Sequence, residues 1–160
     1  MDRKDSKDLY DSHSLEIMQV AEDSFERGVN RIVEIKNFAR TAGIKRIGIA
    51  HCVAFPKEAE AVKQFLSDEF EVCSVDCKCG HMTKQEILGT EGKGIMCNPA
   101  GQAKTLEENN TQLNISMGLC VGHDMIFNKK SAAPVTVLLI KDRVNKHNPM
   151  ESIRSISGRD

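Results

Sequence analysis

The chain has 160 residues, enough for one domain with its own core, and 40% hydrophobic with 28% charged residues excludes a disordered tail. A formal charge of −1, a pI near 6.5, no Trp and a single Tyr exclude a basic or aromatic platform for nucleic acid. The longest apolar run, Val135 to Ile140, is too short to cross a bilayer, and the charged start MDRKDSKDLYD has no apolar core of a signal peptide; a cytoplasmic protein off the membrane is expected.

Residues 1–13 are polar and without periodicity, and are expected to form a flexible start. Ser14 opens a helical pattern (Leu15, Met18, Ala21, Phe25) that stops near Gly28. Asn30 is placed to cap a second helix, with Ile32, Ile35, Ala39 and Ala42 on one face and Gly43 as its left-handed stop. The short run from Arg46 to Ala50 reads as a buried strand. Pro56 suits a first helical position, followed by Ala59, Val62, Phe65 and Leu66 as a buried face. Phe70 to Val75 is the next strand candidate. Within the irregular stretch 76–97, Thr83 and Glu86 form a capping-box pattern for a short helix to Leu88.

Asn98-Pro99 opens a helix through Ala103 and Leu106, and Asn109-Asn110 ends it. Leu113 to Met117 is a third strand, and a short helix follows around Asp124 to Phe127. Pro134 to Ile140 is the clearest strand, and its unbroken apolar character predicts a central position. A last helical turn is expected at Asn148-Pro149, and 151–160 as a flexible end. Strands alternating with helices predict a single α/β domain over 14–150. Its sheet should be mostly parallel and open, with four to five strands and helices on both faces. No phosphate-cradling glycine motif is present.

Six cysteines in a chain without an export signal point to metal binding or thiol chemistry rather than disulfides. On the element map, Cys52 follows the first strand, Cys77 and Cys79 follow the second, Cys97 precedes a helix and Cys120 follows the third strand. In an open parallel sheet these positions share the carboxyl edge, where ligands bind. Soft thiolates select zinc, copper(I) or iron–sulfur clusters, and several thiolates packed together require a neutralising cation. No C-x-x-C pair occurs, so the spacing is not that of a zinc ribbon or finger; Cys77-Lys78-Cys79 is a weaker C-x-C pair. Small electron carriers usually show tighter spacing.

Blander readings stand beside these. Cys73 reads as a small buried hydrophobe, Cys79 as a surface thiol, and Cys52 as intermediate, able to point into the core instead. His123 is a ligand, an acid–base group or a helix cap. Lys141, Arg143 and Lys146 read as solvated surface, with a small anionic ligand as the other reading.

The stretches Asn30-Arg-Ile-Val-Glu-Ile35, Phe38-Ala-Arg40, Lys45 to Ala50 with Cys52, Met96-Cys-Asn-Pro99 with Gln102-Ala103, and Gly118-Leu-Cys-Val-Gly-His-Asp124 carry a family likeness. With Ala133 to Val137, Lys141-Asp-Arg143 and His147-Asn-Pro149, the chain resembles a family of proteins of unknown function from anaerobic bacteria and archaea, described as metal-binding. Members resembling this core carry an additional N-terminal cysteine-rich segment, which is not seen here. An apolar residue is the family expectation at position 79, which favours Cys77 over Cys79.

The leading expectation is an iron–sulfur cluster, with zinc as the alternative, held by Cys52, Cys77, Cys97 and Cys120. The rival is a metal-free thiol or persulfide enzyme with Cys120 as nucleophile and His123 assisting. A third is a non-catalytic binding module. Expected partners are a small-molecule substrate or a redox or sulfur partner protein, with a homo-oligomer left open and neither nucleic acid nor membrane.

Overall fold

Capping and strand pairing set the element boundaries. The computed structural model describes residues 6–158, and within it the chain divides into two compact units, Met1–Ile44 and Lys45–Asp160. The first contains α1 (Ser12–Asp23) and α2 (Arg31–Thr41). Asp11, not Ser14, caps α1, accepting the Ser14 N–H at 2.7 Å, so the helix starts earlier than its apolar pattern. Asn30 caps α2 as expected, and Gly43 takes the left-handed conformation (φ +66°) beyond it. The two helices pack on one another, and Asn37 of α2 donates to Glu26 at 3.0 Å.

The second unit runs β1 (Arg46–His51), α3 (Pro56–Leu66), β2 (Glu71–Asp76), a 3-10 turn at Cys79–His81 and α4 (Lys84–Leu88). Then come α5 (Pro99–Glu108), β3 (Leu113–Met117), α6 (His123–Lys130), β4 (Val135–Leu139) and α7 (Pro149–Ser157). The capping box at Thr83 and Glu86 is formed in both directions. On α3, Ala59, Val62 and Leu66 are buried, whereas Phe65, expected beside them, is 41% exposed. The expected last turn after Asn148 is a nine-residue helix. Among the described residues no helix is long and apolar enough to cross a membrane.

The four strands form one sheet in the order β2-β1-β3-β4, all parallel. The expectation that β4 is central is therefore corrected: β4 is an edge strand, and β1 and β3 are the central pair. Apolarity misranks them because the central strands carry small and polar residues where helix α5 comes close. A Cβ on Gly48 would collide with the Asn114 side chain and stand 2.8 Å from Leu106 of α5. Asn114 is fully enclosed and satisfied by the Thr111 and Ser131 hydroxyls, both at 2.8 Å.

The connection β1–α3–β2 steps one way along the sheet, and β2–α5–β3 steps back past β1. Right-handed crossovers therefore place α3 and α5 on opposite faces, and α6 joins α5. On the α5–α6 side, Ala50, Val75, Ala103, Leu106, Leu119 and Phe127 form a core that also includes Cys52 and Cys77. Full burial of a side chain such as Leu106 or Phe127 stabilises the fold by about 1.5–3 kcal/mol.

Candidate functional site

Reversal of the connections at β1 and β3 makes their carboxyl ends the switch point of the sheet, where parallel α/β folds leave a crevice. The β1–β3 ladder continues past the strand ends, the Cys52 N–H donating to Met117 O at 3.1 Å, which fixes Cys52 at this edge of the sheet. Cys120 follows β3, just ahead of α6, and its carbonyl accepts the His123 and Asp124 N–H groups at 2.9 and 3.0 Å. From beyond β4, Lys141 reaches across, its Nζ donating to Cys52 Sγ at 2.8 Å and to Cys120 Sγ at 3.4 Å.

On the other side of Cys52 stands Cys77, one residue beyond β2 and buried to 1% exposure. Its sulfur is in hydrogen-bond contact with Cys97 Sγ at 3.5 Å and lies beside Cys52. The segments carrying Cys77 and Cys97 are tied together by their backbone: the Asn98 N–H donates to Cys77 O at 2.7 Å, and Asn98 Nδ2 to Cys79 O at 3.3 Å. The four cysteines singled out as ligands thus form a row, Cys97, Cys77, Cys52 and then Cys120 across Lys141. Cys73 lies in β2, half-buried against the core, and Cys79 donates to Asn98 O at 3.6 Å. His123 heads α6, and among the described residues no hydrogen bond joins its ring to Cys120.

Electrostatics differ along the row. Burial pushes the Cys52 thiol up, but Lys141, the Ala54 N–H and the Cys77 thiol together bring it below the ordinary thiol range. Lys141 shows the reciprocal effect: burial pulls its ammonium down, and contact with Cys52 and Cys120 more than offsets it. Cys77 is pushed up to about 12, first by burial and further by Cys97 and Cys52, against the opposing Val53 N–H. The turn after β1 therefore aims two successive backbone amides, Val53 and Ala54, at two different sulfurs.

Lys141 is held from two sides. It lies 5.8 Å from the centre of the Phe55 ring, within cation–π range, and Phe55 meets His147 edge-on at 4.8 Å. Gly118 (φ +63°) makes room for that ring, which a Cβ there would overlap. Asp142 organises the loop behind Lys141: its Oδ1 accepts the Val144 and Asn145 N–H groups, both at 3.0 Å, and its N–H donates to His147 Nδ1 at 3.1 Å. These amides hold the Asp142 carboxyl below its usual range.

Beneath the row, fully buried Gln102 of α5 donates through Nε2 to His51 O at 3.1 Å and Val75 O at 3.0 Å. It clamps the ends of β1 and β2, and its Oε1 has no hydrogen-bond partner. Lys141, Phe55, His147, Gln102 and the two amides were not singled out as site residues from sequence. The available signals were the family pattern, which includes Gln102, Lys141 and His147, and the basic cluster that holds Lys141.

The chain matches, over residues 2–138, the model of a family described as a protein of unknown function, DUF1847. The chain belongs to this family. An uncharacterized protein of Methanocaldococcus jannaschii is 42% identical over 142 residues, covering 86% of this chain and 74% of that protein. No solved structure matches the chain.

Proposed function

We propose that the switch-point crevice of this DUF1847 chain is a thiolate centre for a soft metal, an iron–sulfur cluster in preference to zinc, with Cys52, Cys77, Cys97 and Cys120 as its donors. The observation that carries this reading is the delivery of four thiols from four separate segments to one sheet edge, two of them buried and each facing a backbone amide. The donor set fits such a group in its chemistry: sulfur is the preferred ligand of soft cations, and these thiols cannot all ionise without added positive charge. Among the described residues no three His, Cys, Asp or Glu side chains stand at ligating distance, so the donors would draw together on loading. When bound, the group would supply a Lewis-acid or electron-transfer position. Val53 and Ala54 orient the sulfurs of Cys77 and Cys52, Lys141 balances part of the thiolate charge, and Phe55 with His147 walls off water beside it.

Metal and acid-labile sulfide analysis with a visible spectrum, on protein purified without oxygen, tests the proposal. Stoichiometric iron and sulfide, or zinc alone, are the supporting results, and Cys120→Ser should reduce bound metal at least tenfold. Metal-free protein after anaerobic reconstitution would overturn it. A second reading then takes over, favoured by the Lys141 contacts: a persulfide or sulfur-transfer enzyme in which Lys141 serves Cys120 and Cys52 together. Cytoplasmic location and a redox or sulfur partner protein belong to either reading.

A further inference from the structure

Apart from any metal, Cys77 and Cys97 are held sulfur to sulfur across two separate segments, and Cys77 also lies beside Cys52. Their sulfurs are 3.5 Å apart, and the approach is built into the backbone. The Asn98 N–H bonds Cys77 O directly, Asn98 Nδ2 bonds Cys79 O, and the Asn98 Oδ1 caps α5 through the Gly101 N–H at 2.9 Å. One asparagine therefore locks the residue after Cys97 to the Cys77 turn. Between the two cysteines lies an exposed excursion, with the 3-10 turn, α4 and a bridge between Thr83 and Ile95. Access along the pair is unequal: Cys97 is half-buried and Cys77 is enclosed.

We propose that Cys77 and Cys97 are a reversible disulfide site, a redox lock at the base of the 78–96 excursion, written with a low-molecular-weight disulfide as oxidant. The Cys97 thiolate attacks one sulfur of the oxidant, forming a mixed disulfide and expelling one thiolate. Cys77 then loses its proton to solvent and attacks Cys97 Sγ, expelling the second thiolate, and the two expelled thiolates take up the two protons that Cys97 and Cys77 gave to solvent. The two protein thiols are oxidised to one disulfide, and the oxidant is reduced to two thiols. Closure withdraws two of the four donors of the proposed centre, so the oxidised chain and the metal-loaded chain exclude one another. The lock itself does not depend on that centre.

The test is equilibration of the full metal-free chain with reduced and oxidised glutathione over a range of ratios, followed by acid quench, alkylation and non-reducing peptide mapping. Cleavage after Lys78 and Lys93 separates the two cysteines, and fragmentation distinguishes Cys77 from Cys73, which share a peptide. The expected result is loss of two thiols per chain, with the Cys77–Cys97 link at least tenfold more abundant than any other. It should persist in Cys79→Ser and vanish in Cys97→Ser. Linked peptides scattered over several pairs, or six thiols persisting when glutathione is fully oxidised, would overturn the proposal. Metal binding by the reduced chain is measured separately, by iron and sulfide content after anaerobic reconstitution and by cobalt(II) absorption: a disulfide with neither metal bound sinks only the metal reading, and metal binding without a disulfide sinks only the lock.

Discussion

At Cys52 two opposing influences meet on one sulfur. Burial favours the neutral thiol, and the Lys141 ammonium with the Ala54 amide favours the thiolate. Replacing Lys141 with Met leaves the burial and removes the largest opposing contact, so the Cys52 pKa rises. Residue-resolved alkylation at neutral pH should slow several-fold at Cys52, with little change at Cys73. Cys77 behaves in the opposite sense. Its folded-state pKa, near 12 against an ordinary 9.0, means that the folded chain keeps a proton which the unfolded chain gives up above pH 9. The stability contribution of this thiol is complete below pH 9 and declines between pH 9 and 12, by at most about 1.4 kcal/mol per pH unit. Urea unfolding of the metal-free chain over that range should show the decline in the wild type and a shallower one in Cys77→Ala.

Elements are coupled to the site by two polar devices. Gln102 binds the last carbonyl of β1 and one near the end of β2, so a single amide sets how far apart those strands present Cys52 and Cys77. Gln102→Leu keeps the volume but leaves two buried carbonyls without this donor. The expected cost is about 1–3 kcal/mol in urea unfolding, reduced by removal of the unpartnered Oε1. The loop after β4 depends in the same way on Asp142. Asp142→Ala should accelerate hydrogen exchange at the Val144 and Asn145 amides, and should slow Cys52 alkylation because Lys141 is no longer held in place. Helix ends were the most legible parts of these elements in the sequence. Asn30, Thr83-Glu86, Asn98-Pro99 and Asn148-Pro149 all cap as their residue types dictate. Asp11 was missed because the apolar pattern of α1 begins several residues after its cap.

On the scale of the whole molecule, alternation of strands and helices was enough to give an α/β fold with a parallel sheet. It could not give the strand order. Val135 to Leu139 is the most apolar strand and lies at the edge, while β1 and β3, with Gly48, Asn114 and Ser116, lie at the centre. Central strands here are small and polar on the face that α5 approaches, so hydrophobic content ranked them in the wrong order. Edge placement of the cysteines was legible because Cys52, Cys77 and Cys120 each follow a strand and Cys97 precedes a helix. Lys141 was not legible, since its partner Cys52 is 89 positions away and its charged neighbours suggested plain surface.

That separation also has a consequence for biogenesis. During synthesis the sulfurs of Cys52, Cys77, Cys97 and Cys120 all leave the ribosome before Lys141 does. The approach of Cys97 to Cys77 spans only 20 positions, whereas the ammonium contact with Cys52 must wait for β4 to dock against β3. A nascent chain therefore gathers its thiols first and acquires the Lys141 contact with Cys52 and Cys120 last.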